Sequence, residues 1–580
     1  MLNRNPASPE LARTIPLRLF LTVIGLAGAA AILAASATAQ NPSQDASAWQ
    51  PGRTIVNPAV HSDRSQPLSA LASLYKAPAA PSHHRPGATQ SQPGEPSSVV
   101  PPAAISPEGA AVEQTTPGSR PPATQVAAFD GLGDGFSGPQ GTMNARNPSD
   151  NSLGVGPNEI VQIVNSRLAI FSKQGKRHPQ TGTTLFGPVI TNTLFAGFGG
   201  PCENMISGDA VVRFDQLARR WLFVLPIFRR ITDQPDAPYA MCYAVSVGPD
   251  PLGAYFRYQF NRPLFPDYPR PAIWPDGYYL PTSTGDTVIQ KQLCAADRIS
   301  MLHGKPAREQ CVIVDGVNFL NASDMDGRRL PPAGAPNIVM AAGGTQLHDQ
   351  FEADAISAWK FHLDWSDPAN TTLTGPEKIP VAPYHYLCNG QLSKCVPQPN
   401  TEVRLDAQGD KLMQRLVYRN FGSYQSIVVS HSVDTKAGGG GVRWYEFRLD
   451  PAGTPSLYQQ GTYAPDANFR WMPSIAMDRH GDIGVGYSFG GPHDFPGQRF
   501  AARLAADPKG QLTLREAVLA DGQAAQTNTL RWEDYTTLDI DPADDCTFWY
   551  VGDYLRKDAA SYSTRIGAFR LPGCAARHKW

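Results

Sequence analysis

Arg470-Trp471-Met472-Pro473-Ser474-Ile475-Ala476-Met477-Asp478-Arg479-His480-Gly481-Asp482-Ile483-Gly484-Val485-Gly486-Tyr487-Ser488 sets the pattern for much of the chain. Two short apolar runs flank the polar turn Asp478 to Asp482, in which Gly481 is free to take a positive φ. β-prone residues, then Asp and Gly, then β-prone residues again predict a hairpin. The same shape returns at Val211–Val224, at Pro271–Leu280 and at Thr536–Tyr550. A repeated unit that cannot bury both faces alone must stack on copies of itself. First strands are expected near Ser152, Ala210, Ala272, Asn337, Arg415, Ser474 and Thr536. Their spacing averages about 64 residues, longer than common propeller repeats, which leaves room for loops.

A later strand of several units alternates polar and apolar residues: Ala358–Asp364, Trp444–Asp450 and Ile566–Leu571. Period two marks a strand with one wet face, and its charges suit an outer edge. The predicted fold is all-β: a seven-bladed β-propeller, with six blades or two packed β-domains as alternatives. The 52 Gly and 54 Pro punctuate turns and so favour many short strands over long helices. A net charge of -1 gives no global field to attract nucleic acid, which is not expected as a partner.

Arg4, Arg13 and Arg18 precede an apolar run, Leu19 to Ala35, and Ala37-Thr38-Ala39 follows as a small-residue cleavage site. Residues 1–39 therefore read as a signal peptide. An uncleaved anchor is the alternative and would be the only membrane attachment. Residues 40–128, dominated by Pro, Ala, Ser and Gln, read as a disordered linker, and 129–580 as the propeller domain. The His83-His84 pair in the linker reads as solvated filler. Eight cysteines, an even number in an exported chain, read as disulfides: Cys202, Cys242, Cys294, Cys311, Cys388, Cys395, Cys546 and Cys574. Sequential pairing closes each loop within one repeat, and Cys388–Cys395, flanking a short polar loop, is the first bridge expected.

The propeller gives one geometric step towards function. Residues just before each innermost strand converge on one face, around the channel mouth. That set is Asp150 and Asn151, Asp209, Asp267 and Tyr268, Arg415, Arg470 and Trp471, and Arg531 through Tyr535. The candidate ligand-binding residues are Asp267, Tyr268, Arg470, Trp471, Arg531, Glu533, Asp534 and Tyr535. Rings stack on apolar sugar faces, and Arg grips carboxylates in a bidentate fork. Against this, Arg-Trp recurs at Arg220, Arg443, Arg470 and Arg531, and a dipeptide repeated per unit also suits packing of Arg on an indole face. Glu533 or Asp534 with Asp267 would supply acid and base to a glycosidase. Neighbours in a strand point to opposite faces, so Glu533 and Asp534 cannot both face the channel once the strand has begun.

No Gly-x-Ser-x-Gly elbow, His-Glu-x-x-His helix or phosphate-binding loop occurs, so serine hydrolase, zincin and nucleotide enzyme are without support. No cofactor is expected beyond structural calcium. Asp324-Met325-Asp326-Gly327 and the Asp541, Asp544, Asp545 cluster each look like part of a calcium loop. Asp130 to Gly135 reads as a Gly-rich lead-in strand or turn, and His348, Asp349 and Glu352 as a solvated loop.

Ser474-Ile475-Ala476-Met477-Asp478-Arg479-His480-Gly481 resembles the Asp-box repeats of sialidase-type propellers, with Asp-x-x-Gly in place of Asp-x-Gly. Asp150–Asn158, Val442–Glu446 and Asp545–Tyr550 resemble segments of large exported bacterial propeller proteins of unassigned function. The resemblance implies a fold and no catalytic residue. The expected role is an exported propeller, secreted or in the cell envelope, that binds a glycan or an extracellular protein at its channel mouth. The alternatives are a glycan-active hydrolase or lyase on the same face, and a purely structural envelope protein.

Overall fold

The computed structural model describes residues 52–74, 104–228, 238–283, 290–317, 319–343, 355–390 and 394–574. The signal segment, the His83-His84 pair and the His348, Asp349, Glu352 group lie outside the described residues.

The fold is all-β. Antiparallel meanders of four strands follow one another along the chain, each opened by one inner strand. The inner strands are β1 (Ser152–Val155), β2 (Val211–Asp215), β3 (Ala272–Trp274), β4 (Asn321–Met325), β5 (Leu416–Asn420), β6 (Phe469–Met477) and β7 (Thr537–Ile540). β1 lies against β2 and β7, β3 against β4, and β6 against β5 and β7. β4 and β5 pair directly as parallel strands, Ser323 opposite Leu416, which merges two meanders into one nine-stranded sheet. The second and third meanders join through an apolar cluster that includes Leu222, Val224, Met241, Ile273, Tyr278 and Leu280. Successive sheets thus pack face to face and the last returns to the first, a propeller-like arrangement.

The hairpin predicted from Arg470–Ser488 forms. Met477 pairs with Ile483 and Ile475 with Val485. Asp478 shapes the turn, its carboxylate accepting from the N–H groups of His480 at 2.7 Å and Asp482 at 3.0 Å, with Gly481 at φ 82°. Sheets meet by setting rings over glycines. A Cβ on Gly486 would lie 2.5 Å from the ring of Tyr550, and one on Gly156 would lie 2.5 Å from Trp221.

Two inner strands begin earlier than the sequence suggests. Asn337 opens the second strand of its meander (Asn337–Ala342), and the first is β4. Asp324 and Asp326 resemble loop chemistry, but here arginines pair them inside the channel. β6 starts at Phe469, so Arg470 and Trp471 lie within the strand and not ahead of it.

The stretch expected to be a disordered linker is ordered over its described parts. Ile55–Pro58 adds to the edge strand Arg308–Val314, and His61–Arg64 adds to Tyr255–Arg262. The helix Leu68–Leu74 buries Leu68 and Leu71. Glu113–Gln114 joins Pro455–Tyr463, and Thr124–Gly133 supplies the outermost strand of the final meander. Polar composition rules out a self-made core, but an exposed sheet edge offers ready backbone partners, so a segment adding to it needs few apolar residues.

Disulfides join Cys202–Cys242, Cys294–Cys311, Cys388–Cys395 and Cys546–Cys574, the sequential pairing expected. Four disulfides suit an extracellular or otherwise oxidising environment. Among the described residues no helix is long and apolar enough to cross a membrane.

Candidate functional site

The chain turns into its inner strands through a strained residue. Asp150 (φ 48°), Asp209 (φ 51°), Tyr268 (φ 53°), Met472 (φ 49°), Glu533 (φ 54°) and Asp534 (φ 68°) all sit in the left-handed region just ahead of, or early in, those strands. Asp tolerates this conformation better than most residues, and the strain persists only where the surroundings fix it. A serine follows two residues after Asp150 and after Met472. Ser152 Oγ accepts from Val212 N–H at 3.0 Å, and Ser474 Oγ from Leu538 N–H at 2.9 Å. The position that carries Asp150 in the first meander therefore carries Met472 in the sixth.

Four carboxylates gather at this rim. Asp150 is wholly buried, accepts from Asn165 Nδ2 at 2.6 Å through Oδ2, and leaves Oδ1 without a partner among the described residues. Half-buried Asp209 links its side chain to those of Asp150 and Asp267. Asp267 accepts from the N–H of Tyr268 at 3.0 Å. Asp534 receives the guanidinium of Arg531, which also lies 3.3 Å from Asp406.

Burial and mutual charge raise three of these acids, Asp150, Asp209 and Asp267. Burial, then the charges of Asp209 and Asp534, push Asp150 well above the usual carboxylate range. Burial, then Asp267 and Asp534, do the same to Asp209. Burial raises Asp267 too, opposed by the hydrogen bond from Asp209. Burial pushes Asp406 up to about 7 against the pull of Arg531. The directions within the pair agree: the hydrogen bond between them raises Asp209 and opposes the rise of Asp267.

Of the candidate binding residues, the rim brings Asp267, Tyr268, Arg531, Asp534 and Tyr535 together. The Tyr268 hydroxyl donates to the carbonyl of Asp534, and its ring meets Tyr535 edge to face at 5.2 Å. The other three are elsewhere. Arg470 is buried in ion pairs with Asp466 at 2.9 Å and Glu516 at 2.7 Å. Trp471 is buried 6.1 Å from Trp532. Glu533 turns away from its neighbour Asp534, accepting from Ser488 Oγ at 2.7 Å, Gln498 Nε2 at 2.9 Å and the N–H of Asp553 at 2.6 Å. Asp406 was not legible in the sequence, because it comes from an irregular segment between meanders with no periodicity to place it.

Further along the inner strands, buried charges fill the channel. Arg213 reaches Asp324 at 2.6 Å and Asp539 at 3.1 Å, while Arg415 reaches Asp324 at 2.7 Å and Asp326 at 2.5 Å. These residues line a cavity of about 20 Å³ with Val155 and Ile540. Burial would raise Asp324, but Arg213 and Arg415 outweigh it and hold the group below its ordinary value. Both segments that look like calcium loops have their carboxylates engaged by cations. Asp326 holds Arg415, Asp541 holds Lys173, Asp544 holds Arg570 and Asp545 holds Arg419. Asp130 lies in the strand Thr124–Gly133 and binds Arg556 and Arg565.

No known protein family matches this chain, and no curated protein matches it in sequence. Solved structures do resemble it. One is the catalytic domain of a GH62 alpha-L-arabinofuranosidase from Coprinopsis cinerea, at 10% identity, 52% of this chain, 90% of that chain and a TM-score of 0.26. Another is polysaccharide lyase Uly1, at 10% identity, 74% of this chain, 92% of that chain and a TM-score of 0.32. A third is a GH43 glycoside hydrolase with an engineered active site, at 10% identity, 77% of this chain, 97% of that chain and a TM-score of 0.27. No residue role is carried over from them. None of the three is a sialidase, and that resemblance rests on the turn at Asp478.

Proposed function

We propose that the chain is an exported, seven-bladed β-propeller enzyme that cleaves glycosidic bonds with its rim carboxylates. The feature that carries this reading is the gathering of Asp150, Asp209, Asp267 and the Arg531–Asp534 pair at one rim, where burial raises Asp209 and Asp267 above the usual carboxylate range. Glycosidic cleavage needs an acid to protonate the leaving oxygen and a base or nucleophile flanking the bond at about 5–10 Å, so the substrate enters between the two groups and breaks their hydrogen bond. Asp209 serves as the acid and Asp267 as the base. Asp150 and the Arg531–Asp534 pair set their charge, and Arg531 offers donors to sugar hydroxyls.

The inner-strand order supports seven blades, and the disulfides and small-residue cleavage site support export to the cell envelope or beyond. A pure binding scaffold is the weaker reading. It relies on cations and rings offered together at the rim, and Arg470 and Trp471 are instead consumed by internal contacts.

Reducing-end release from a panel of polysaccharides between pH 4 and 9 tests the proposal. Product release that falls at least about 100-fold in Asp209→Asn, with the fold intact, is the expected result. Retention of a polysaccharide with no product from any substrate overturns it in favour of binding.

A further inference from the structure

Across Tyr268 from the carboxylates lies a buried group of cations that the acid–base reading does not use. Arg270 is only 4% exposed. Its Nη1 donates to the carbonyl of Leu412 at 2.8 Å, while Nε and Nη2 have no hydrogen-bond partner among the described residues. The guanidinium sits 4.8 Å from the ring centre of Tyr268 and 5.2 Å from that of Phe319. Lys411, equally buried, sits over the same two rings at 4.6 and 4.3 Å. It pairs with Asp410 at 3.0 Å and donates to Gln408. Lys291 adds a third positive charge, 5.5 Å from the Phe319 ring.

Burying a charge is costly unless it is paired and its donors are met. Ring faces attract the cations but accept no N–H bond from the edge of a guanidinium. Among the described residues Asp410 is the carboxylate that pairs with Lys411. Two guanidinium donors therefore remain for a group from outside the chain. Gln408, Asp410 and Phe319 keep only 6%, 7% and 8% of their surface exposed, so little surface leads to these cations, which favours a single terminal charged group over a bulkier one.

We propose that Arg270 and Lys411 form an anion subsite that takes the carboxylate or sulfate ester of an acidic sugar, placing that sugar against Asp209 and Asp267. This rests on the rim being the glycan site. A planar carboxylate or a sulfate matches the free Nε and Nη2 edge of Arg270 as a bidentate acceptor, with Lys411 as a point charge beside it.

Calorimetry on the full-length protein tests this with three probes of similar length: an oligogalacturonide, a sulfated oligosaccharide and neutral maltohexaose. The expected result is at least tenfold tighter binding of one or both acidic probes at constant ionic strength, lost in Arg270→Gln and weakened in Lys411→Gln. Which acidic probe binds identifies the carboxylate or the sulfate as the partner. Equal binding of the neutral probe, or an undiminished preference in Arg270→Gln, overturns the subsite. If Arg270→Gln does not fold, the wild type decides. Galacturonate must then raise the melting temperature more than galactose does in sodium chloride of matched ionic strength, and no difference sinks the proposal. Acid-selective binding without product from any polymer would leave the subsite standing and remove the catalytic reading. Cleavage of neutral glycans, unchanged in Lys411→Gln, would do the reverse.

Discussion

Asn165 donates to Asp150 Oδ2 at 2.6 Å and leaves Oδ1 unpartnered among the described residues, in a side chain that is wholly buried. One amide cannot offset the crowding of Asp150 by Asp209 and Asp534, so the rim is most comfortable with its protons on. Asp150, Asp209, Asp267 and Asp406 all have raised pKa values, Asp406 to about 7. A raised carboxyl contributes stability below its unfolded pKa of about 4, and loses it as pH climbs through the folded value. The melting temperature should therefore fall between pH 5 and pH 8. Asp150→Asn should shrink that fall and raise the melting temperature at pH 8. A flat profile, or a steeper one in the variant, contradicts the crowding.

A different set of carboxylates acts oppositely at low pH. Asp324, Asp130 and Asp544 lie below their ordinary values, with arginine partners helping to outweigh burial. Their contribution is lost as pH drops below about 4, which places the stability maximum near pH 4 to 5.

Asp478 and Gly481 announced their hairpin because turn chemistry is local. Asp267, Arg531, Asp534 and Tyr535 fell on the rim because strand starts are nearly local as well. Arg470 failed because its strand begins at Phe469, about five residues before the Ser474 the pattern suggests, which puts Arg470 inside the strand. Arg270 and Lys411 left no signal. Lys411 meets Tyr268 and Phe319, and Arg270 meets Phe319, only through contacts between segments far apart in the chain.

Arg470 and Glu533 should prove structural. Arg470→Ala strands the carboxylates of Glu516 and Asp466, and Glu533→Ala leaves Ser488, Gln498 and the Asp553 N–H without their acceptor. Each is expected to cost about 3 kcal/mol in denaturant unfolding. Neither should change the affinity of folded protein for an oligosaccharide by more than about twofold, a shift below 0.5 kcal/mol. A selective loss of affinity with stability intact would return them to the ligand site.

Gly486→Ala probes the contact between the last two sheets. Its new Cβ would lie 2.5 Å from the Tyr550 ring, which is itself buried and hydrogen-bonded to Gln498 at 2.6 Å. The ring cannot swing away freely, so overpacking of about 1–3 kcal/mol is expected from unfolding midpoints. A neutral effect would mean the two sheets are less tightly apposed than this.

The disulfides should rank by the loop each closes. Cys202–Cys242 spans 40 residues and Cys388–Cys395 spans 7. Chain-entropy arithmetic gives about 4 kcal/mol for the first and about 2 for the second. Removing each pair by double Cys→Ser substitution, then comparing unfolding midpoints, should place Cys202–Cys242 as the costlier loss. The reverse order would show that local packing, not loop closure, governs these bridges.

Ring closure gives the sharpest test of the architecture. The final meander takes its outermost strand from Thr124–Gly133, paired with Ser563–Arg570, so a strand that precedes the first meander shares a sheet with the last strand of the chain. Leu132 is wholly buried there, and Gln162 of the first meander donates from its amide to Thr564, while its oxygen accepts the Leu132 N–H at 2.8 Å. The strand therefore ties the last sheet to the first as well as covering an edge. A chain beginning at residue 120 loses the added edge strands and the helix Leu68–Leu74 and should still unfold cooperatively, at a lower midpoint. A chain beginning at residue 136 loses the closing strand, exposes the ladder of Ser563–Arg570 and should aggregate or unfold without cooperativity. Adding a peptide of residues 120–135 in trans should restore part of the transition. Equal cooperativity in the two truncated chains would mean that the ring holds without its closing strand.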